Sequence, residues 1–342
     1  MGNSCCCCWR KKEEIKKIKN EKKNFDNIIP GLSNFGGNCY LNSILQCFYY
    51  CKDLTNFFIN KKKEIFKKGG KLSTAYLNLI LKLNKKEKYN DAKVLLKALQ
   101  EVSYNFFKKG GNDPKAALFY LLENLHNELK EKNLDYNEED ICCEDIDQER
   151  AFEKCKNNEE KNKSIISELF NWCFLTHNEC KKCGKVHYIC EYRNNILIEL
   201  NKYETKDKVT LDELIKFYFQ DGERHFICNS DKEVFKVKFR KKIISYPQYL
   251  IIILNRNIIQ FDIIYEDCID LSEYCVYESN TKYNFIGASL TNDYKNQEGT
   301  HAISRCITSE GSCIFNDLIT IQNRSNINGY NPYILFYKKI II

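Results

Sequence analysis

Residues 31–46 read Gly31-Leu-Ser-Asn-Phe-Gly-Gly-Asn-Cys39-Tyr-Leu-Asn-Ser-Ile-Leu-Gln46, which joins a glycine pair to a cysteine and the start of an apolar repeat. The repeat has the spacing of one helix face, and its members are Leu41, Ile44, Leu45 and Phe48. Cys39 would therefore open an amphipathic helix, where backbone N–H groups and the helix dipole favour a thiolate. The thiolate is the form of cysteine that attacks a carbonyl carbon. Among 19 cysteines, Cys39 is the candidate nucleophile, and the alternative is a small buried residue near a helix start.

A cysteine nucleophile needs a base, and the chain offers five histidines. His126 falls in a second helical repeat, and three others lie near a pair of cysteines where metal or structural roles compete: His177, His187 and His225. His301 leads a predicted strand, and Asn316 follows one strand later, where its amide can orient an imidazole. The order cysteine, histidine, asparagine is that of papain-like proteases, so we predict Cys39, His301 and Asn316 as the catalytic residues.

The sequence pattern changes from helical to strand-like at about residue 164. Ala116 to Leu129 forms the second helical repeat, with Asp113 at the N-cap position and Pro114 after it. Residues 131–163 are rich in Glu, Asp, Asn and Lys, and we expect a loop or partly disordered insertion there. β-Branched and aromatic residues then predict strands at Tyr188–Leu200, Val234–Val237, Ile243–Leu254, Tyr283–Ser289 and Ile334–Tyr337. Helices followed by strands predict an α+β fold.

Composition and charge limit the classes of function. The chain has 342 residues, of which 43% are hydrophobic, and this is enough for a large buried core. The net charge of +7 comes without a stripe of Lys and Arg between spaced aromatics, so we expect no nucleic-acid partner. Met1 to Arg10 has no apolar core of the length that a secretory signal needs, so we expect a cytoplasmic protein with reduced thiols. The longest apolar run, Tyr249 to Leu254, is too short to span a bilayer.

The first 30 residues have the composition of a basic tail. Gly2 is followed by the run Cys5 to Cys8, and Arg10 to Lys23 contains eight basic and three acidic residues. This start is similar to that of myristoylated and palmitoylated proteins, in which one acyl chain needs a second chain or a basic patch for stable anchoring. We therefore predict lipidation at Gly2, Cys5 and Cys6 and an anchor on the cytosolic face of a membrane. Cys6 stands where Ser or Thr is usual, and the alternative is a disordered start whose thiols have no role.

The stretch from Gly31 to Gln46 closely resembles the cysteine box of ubiquitin-specific proteases, G-L-x-N-L-G-N-T-C-Y-M-N-S-x-L-Q. Further segments resemble that family in the same order along the chain: Asn112-Asp113-Pro114 with the helix after it, Tyr246 to Arg256, Tyr283 to Ala288, Gly299-Thr300-His301, Phe315-Asn316-Asp317 and Tyr333 to Tyr337. The resemblance covers about residues 31 to 338. It implies a papain-like α+β fold with a helical thumb at about 31–165 and a β-rich palm and fingers at about 166–342.

The resemblance also implies an activity and assigns roles to single residues. The implied reaction is hydrolysis after the C-terminal glycine of ubiquitin, which requires no cofactor and makes ubiquitin and ubiquitylated proteins the partners. A nucleophile, a general base and an orienting amide are implied in that order: Cys39, His301 and Asn316. The orienting residue is Asn316 rather than Asp317. Asn34 falls at the family's oxyanion donor, and Asp113 falls where the family contacts the arginine-bearing tail of ubiquitin.

Several residues depart from the family pattern: Gly37-Asn38 replaces Asn-Thr, Thr300 replaces Gly, Ala302 replaces an aromatic, and Ala116-Ala117 replaces Glu and Phe. None of these changes removes a reacting group. Two alternatives to an active deubiquitinase therefore stay open, a ubiquitin-binding pseudoenzyme and a protease for a ubiquitin-like modifier.

A CxxC pair, Cys180-Lys-Lys-Cys183, has the spacing of a zinc knuckle. The family often carries a second CxxC on its fingers, but this chain has Cys228-Asn-Ser-Asp231 in that place, so the fourth thiolate is missing. We predict Cys180, Cys183 and Cys228 as ligands of a structural zinc ion, with Asp231 or His225 completing the site. The alternative is a family member that has lost the metal and holds its fingers by packing.

Overall fold

A computed structural model describes residues 29–68, 70–87, 89–107, 113–130, 142–200, 208–228, 233–255, 262–277, 280–292, 301–322 and 330–341. Within these ranges the helices are α1 (Cys39–Tyr50), α2 (Lys52–Asn60), α3 (Lys62–Lys68), α4 (Lys71–Asn84), α5 (Lys93–Val102), α6 (Tyr104–Phe107), α7 (Pro114–Leu129), α8 (Gln148–Lys161), α9 (Ile165–Phe170) and α10 (Leu211–Phe219).

The strands follow mainly in the second half of the chain: β1 (Cys142–Asp145), β2 (Trp172–Cys180), β3 (Val186–Arg193), β4 (Ile196–Glu199), β5 (Lys208–Thr210), β6 (Gly222–Cys228), β7 (Glu233–Ser245), β8 (Tyr249–Asn255), β9 (Asp262–Ile264), β10 (Cys268–Asp270), β11 (Lys282–Asn292), β12 (Ala302–Thr308), β13 (Gly311–Asn316), β14 (Ile319–Gln322) and β15 (Tyr330–Lys339). This distribution confirms the predicted α+β architecture.

Helix α1 lies in the hydrophobic core, between the other helices and a large sheet. The predicted apolar face is confirmed, because Leu41, Ile44, Leu45 and Phe48 are each at most 1% exposed. The rest of the helix is buried as well, except for Tyr49, since α7 packs on one side of it and β11 and β12 on the other. A helix that is covered on all sides has little freedom to shift, so its first residue, Cys39, is held in a fixed place.

The large sheet has the strand order β14-β13-β12-β11-β15-β8-β4, and β10 pairs with β11 at one side. Ile251, Ile253 and Phe336 face the helices, whereas Leu250 and Ile252 belong to a second core that α10 covers. Because both faces are covered, β8 is a continuous apolar run rather than an alternating one. The sheet places β12 and β13 against α1, so residues 302–316 lie next to residues 39–50 although they are far apart in the sequence.

A second sheet has the order β1-β3-β2-β7-β6, and β5 pairs with β9 in a separate parallel ribbon. The longest strand of this second sheet is β7, from Glu233 to Ser245. The predicted strand Ile243–Leu254 is wrong as a single element, since β7 ends at Ser245 and β8 begins at Tyr249. Pro247 lies in the break, and proline has no backbone N–H to donate to a sheet.

The prediction of a loop or partly disordered insertion over residues 131–163 is wrong for much of that range, because residues 142–161 contain β1 and α8. Asp147 caps α8 by accepting a hydrogen bond from the N–H of Arg150 at 3.0 Å. Ala151 and Cys155, one turn apart, bury a narrow apolar stripe against the second sheet. A cap and a two-residue stripe are enough for a docked helix, although the polar composition hides both. Residues 131–141 lie outside the described residues.

Candidate active site

The loop before α1 is shaped by two glycines and one asparagine side chain. Gly36 and Gly37 have φ values of 124° and 81°, which favour glycine. The carbonyl oxygen of the Asn34 side chain accepts hydrogen bonds from the backbone N–H groups of Gly36, Gly37 and Asn38 at 3.2, 3.0 and 3.3 Å. The loop therefore turns sharply around Asn34 and delivers Cys39 as the first residue of α1.

Asn38, one of the departures from the family pattern, ties this loop together. Its side chain is buried and accepts a hydrogen bond from the N–H of Phe35 at 2.8 Å. The amide nitrogen of Asn38 lies 3.2 Å from the carbonyl oxygen of Ser33 and 3.0 Å from the side-chain oxygen of Asn42, and donates to both. Because an asparagine can both donate and accept, Asn38 serves the loop on two sides at once.

His301 stands immediately before β12, and the strands around it fix its position. Its backbone N–H donates to the side-chain oxygen of Asn292 at 2.6 Å, and its carbonyl oxygen accepts from the N–H of Asn292 at 3.2 Å. Its ring nitrogen Nε2 lies 2.7 Å from Oδ1 of Asn316, the last residue of β13. The adjacent antiparallel strands β12 and β13 thus bring the predicted base and its orienting amide together.

Cys39 and His301 are hydrogen-bonded to each other, and this bond changes the pKa of both groups. Burial raises the pKa of the Cys39 thiol, but the hydrogen bonds from His301 and from the N–H of Ala302 outweigh burial and lower it below its usual value. The hydrogen bond to Cys39 raises the pKa of His301 to about 9, and the bond to Asn316 adds to this effect while burial opposes it. The pair therefore favours a thiolate beside an imidazolium.

The bond to Asn316 also decides which nitrogen of the imidazole faces the sulfur. Because Nε2 meets a side-chain oxygen, Nε2 carries a hydrogen and donates it. Nδ1 is then the nitrogen that exchanges a proton with Cys39. An imidazole fixed in this way can take a proton from a thiol and later give it to a leaving amine.

Asp317 is a residue of this site that the sequence analysis did not select. Its carboxylate accepts a hydrogen bond from the side-chain amide of Asn34 at 3.0 Å and another from that of Asn42 at 2.8 Å. Its backbone has a φ of 53°, which aspartate tolerates better than most residues. The side-chain amide of Asn34 is thus held at both ends, by the loop N–H groups and by Asp317. The family resemblance separates Asn316 from Asp317 as the orienting residue, but it gives no role to Asp317.

Asp113 is placed at the start of α7, where it confirms the predicted N-cap. Its carboxylate accepts a hydrogen bond from the N–H of Lys115 at 2.9 Å. The ammonium group of Lys115 reaches across to the side-chain oxygen of Asn255, at the end of β8, at 2.7 Å. Among the described residues no hydrogen bond joins Asp113 to Cys39 or His301.

The predicted zinc ligands lie in the second sheet. Cys180 is buried at the end of β2, and Cys183 is exposed in the turn that follows. Cys180 of β2 lies opposite Val237 of β7, and Val237 lies opposite Arg224 of β6. Cys228 is four residues beyond Arg224 along β6, so it is not directly in line with Cys180. The described residues contain no group of three or more His, Cys, Asp or Glu side chains that could hold a metal ion. The side chain of Cys228 and all of Asp231 lie outside the described residues.

The predicted lipidation sites, Gly2, Cys5 and Cys6, also lie outside the described residues, which begin at Ile29. Among the helices of the described ranges, none combines the length and the apolar composition that crossing a membrane requires.

Comparison with known proteins identifies a family. Residues 30–337 match the family described as ubiquitin carboxyl-terminal hydrolase. The chain is 26% identical to "Probable ubiquitin carboxyl-terminal hydrolase 4" from Schizosaccharomyces pombe over 273 residues, which cover 70% of this chain and 45% of the relative. It is 21% identical to "Ubiquitin carboxyl-terminal hydrolase 25" from Arabidopsis thaliana over 330 residues, which cover 90% of this chain and 47% of the relative. It is 22% identical to "Ubiquitin carboxyl-terminal hydrolase Usp2" from Drosophila melanogaster over 329 residues, which cover 90% of this chain and 34% of the relative. The chain thus spans less than half the length of these relatives.

Proposed function

This chain belongs to the ubiquitin carboxyl-terminal hydrolase family, and from that membership we propose that it is a cysteine-type deubiquitinase. It cleaves the peptide or isopeptide bond after the C-terminal glycine of ubiquitin. The observation that carries the proposal is the row of hydrogen-bonded side chains Cys39, His301 and Asn316. The α+β architecture agrees with the papain-like fold of the family, and we propose a thumb at about 31–165 followed by a palm and fingers to 342.

The first half of the proposed reaction forms an acyl-enzyme. The thiolate of Cys39 attacks the carbonyl carbon of the terminal glycine, and the carbonyl oxygen becomes an oxyanion. The amide nitrogen of Asn34 carries two hydrogens, so one can stay on Asp317 while the other, with backbone N–H groups, stabilises the oxyanion. His301 then protonates the departing lysine amine, and a thioester remains on Cys39.

The second half of the proposed reaction uses water. His301 has given up its proton and can now accept one from a water molecule that attacks the thioester. The bond to sulfur breaks, the thiolate re-forms beside the newly protonated imidazole, and ubiquitin leaves with a free carboxylate. Asn316 keeps its hydrogen bond to Nε2 through both halves, so the imidazole presents the same nitrogen to the sulfur each time. No cofactor takes part in these steps.

Asp113 is proposed to receive the tail of ubiquitin rather than to act in the chemistry. One oxygen of its carboxylate accepts a hydrogen bond from the N–H of Lys115, and no described residue donates to the other, which we propose receives an arginine of the tail. Lys115 bridges to Asn255 beside it, so the start of α7 and the end of β8 form two sides of the proposed entry.

A ubiquitin probe with a C-terminal electrophile tests the proposed function. We expect one covalent adduct per chain, seen as a mass shift of the size of the probe, and no adduct in Cys39→Ala. Binding of the probe without an adduct in the wild-type chain would support a pseudoenzyme instead. An adduct only with a probe made from a ubiquitin-like protein would support a protease for that modifier.

Two further proposals concern the tail and the metal. We propose that Gly2, Cys5 and Cys6 carry acyl chains that hold the protein at the cytosolic face of a membrane, supported by the motif and the basic run after it. Mass analysis of the N-terminal peptide from the native host tests this, and an unmodified peptide contradicts it. We also propose a structural zinc ion at Cys180, Cys183 and Cys228, although the described donors alone do not make a complete site. Metal analysis of the purified protein would find about one zinc ion per chain if the site exists.

A further inference from the structure

A cavity of about 310 Å³ lies beside the loop that precedes Cys39. Residues 35–38 of that loop form one wall, α5 forms the other with Lys93 and Lys97, and Phe107 also lines it. The described residues around the cavity include two lysines and neither an aspartate nor a glutamate. We call it the lysine cavity and define it by Phe35, Gly37, Lys93 and Lys97.

Within the described residues, acidic side chains engage the two ammonium groups of the lysine cavity only weakly: the pKa of Glu101 is lowered mainly by Lys71, and the charge of Lys97 adds a smaller effect. Asp91 accepts a hydrogen bond from the backbone N–H of Lys93 at 3.0 Å, and Glu101, one turn beyond Lys97, forms its salt bridge with Lys71 at 2.7 Å. Within the described part of the chain, no salt bridge involves the side chain of Lys93 or Lys97. The Lys93 ammonium instead lies 5.4 Å from the centre of the Phe35 ring, in a cation–π contact that leaves most of its donors unused.

The positions of these lysines work against the stability of α5. Lys93 is the first residue of the helix, where the dipole favours an acidic side chain, and the first turn contains none. Lys97 follows at the i+4 position, where like charges repel each other. Both features oppose folding of the helix, and local violations of this kind concentrate at functional sites.

Charge decides which part of a substrate fits beside the nucleophile. A bond that lies on Cys39 for cleavage joins the tail of ubiquitin to a lysine of the modified protein. The tail carries arginines, and the two ammonium groups would repel them. The other side of the bond belongs to the modified protein, whose residues next to the lysine can be acidic and would then be attracted by the two ammonium groups.

We infer that the lysine cavity receives aspartate or glutamate side chains that flank the ubiquitylated lysine of the target protein. The inference rests on the proposed deubiquitinase function, and it makes Lys93 and Lys97 residues that select the target. A carboxylate in the cavity would pair with ammonium groups that form no salt bridge among the described residues, next to the loop that holds the proposed thiolate.

Matched substrates test this inference. Short peptides carry ubiquitin on a central lysine, and the lysine is flanked by Asp and Glu, by Ser and Ala, or by Lys and Arg. At low salt we expect the wild-type chain to show about fivefold higher kcat/KM for the acidic peptide than for the neutral one, and a lower value for the basic peptide. The ratio should approach 1 at roughly 0.5 M salt, where charges are screened.

A pair of charge-removing variants separates the cavity from general charge effects. In the double variant Lys93→Gln, Lys97→Gln, the ratio of acidic to neutral kcat/KM should fall to about 1. The matched control is Lys156→Gln, Lys161→Gln, which removes the same charge from exposed positions on α8, a helix that packs on β1 and β3 of the second sheet. The control should keep the wild-type ratio. Equal rates on all peptides in the wild-type chain, or a preference that survives in the cavity variant, would overturn the inference.

A binding measurement keeps this test distinct from the test of the activity. In Cys39→Ala, which cannot form an acyl-enzyme, fluorescence anisotropy should detect the free acidic peptide at low salt and should detect it several-fold more weakly when Lys93 and Lys97 are also replaced. Peptide binding without any hydrolysis of ubiquitin would overturn the proposed function, whereas the proposed role of the lysine cavity in binding acidic peptides would stand. Hydrolysis of ubiquitin without peptide binding would overturn the proposed role of the lysine cavity, whereas the proposed deubiquitinase function would stand.

Discussion

The charge of His301 depends on its neighbour Cys39, and removing the sulfur tests that dependence. The hydrogen bond to Cys39 is the largest of the effects that raise the pKa of His301 to about 9. In Cys39→Ala this effect is lost, whereas burial still opposes the charged form, so we expect the pKa of His301 to fall. NMR titration of the imidazole measures the shift directly. A pKa that stays near 9 in the variant would contradict a thiolate–imidazolium pair.

Asn316 is expected to set the alkaline limit of activity. The thiolate forms as the pH rises through the lowered pKa of Cys39, and the imidazolium that protonates the leaving amine is lost as the pH rises through about 9. Since the bond to Asn316 helps to raise the pKa of His301, Asn316→Ala should move the alkaline limb of the kcat/KM profile to lower pH. We expect kcat to fall roughly 10- to 100-fold as well. An unchanged alkaline limb would contradict the role of Asn316 in raising the pKa of His301.

Asp317 should act as a positioning residue for Asn34. In Asp317→Ala the side-chain amides of Asn34 and Asn42 each lose a charged acceptor at 3.0 and 2.8 Å. We expect kcat to fall about tenfold with little change in KM, because a misdirected Asn34 weakens stabilisation of the oxyanion more than binding of ubiquitin. The double variant with Asn34→Ala should be hardly slower than Asn34→Ala alone. Fully additive losses would contradict this role.

At the scale of elements, the loop before α1 and the turn after β13 fit together through Gly31. A Cβ atom on Gly31 would collide with the carbonyl oxygen of Asp317 and lie 2.7 Å from Cα of Leu318, and both are backbone atoms. The N–H of Leu32 also donates to the carbonyl oxygen of Asp317 at 3.0 Å. Gly31→Ala should therefore lower the free energy of unfolding by about 2–3 kcal/mol and reduce kcat, because both backbones must move apart.

Gly222→Ala in β6 is the matched control for this prediction. The three atoms nearest to its added Cβ all belong to the ring of Phe239, the first at 2.8 Å, and a side chain can shift more easily than a backbone. We expect a loss of about 1 kcal/mol in urea unfolding and no change in kcat. An equal loss of unfolding free energy and of kcat in the two variants would contradict the proposed importance of the close contact between the loop and the turn.

The elements that could be predicted from the sequence are those whose signal is local. The face of α1 and the cap of α7 each lie within one or two turns of helix, and both are confirmed. Helix α8 escaped prediction because only Ala151 and Cys155 of this helix are buried, with the half-buried Phe152 beside them. The role of Asp317 could not be predicted at all, since it depends on a backbone turn and on partners 275 and 283 residues away.

At the scale of the whole molecule, helices and sheet share one core. Buried residues of α1, α4, α7 and α9 form a single cluster with residues of β8, β12, β13 and β15. Cys39, the proposed nucleophile, belongs to a helix, whereas His301 and Asn316 lie on the side of the sheet. Packing of the two parts against each other therefore helps to keep the sulfur beside the imidazole.

Phe48 is the residue at which this dependence can be measured. Its ring stacks on Phe170 with centres 5.8 Å apart and meets Phe336 and Tyr76 edge to face at 6.0 and 6.5 Å, so it contacts helices and sheet together. Phe48→Ala should lower the free energy of unfolding by about 3–5 kcal/mol, whereas Phe66→Ala, at a 48% exposed position on α3, should cost less than about 0.5 kcal/mol. Far-ultraviolet and aromatic circular dichroism should report one coincident transition in urea, because the helices and the sheet face that they cover share one core. Two separate transitions would mean that helices and sheet fold independently, and the proximity of Cys39 to His301 would then need another cause.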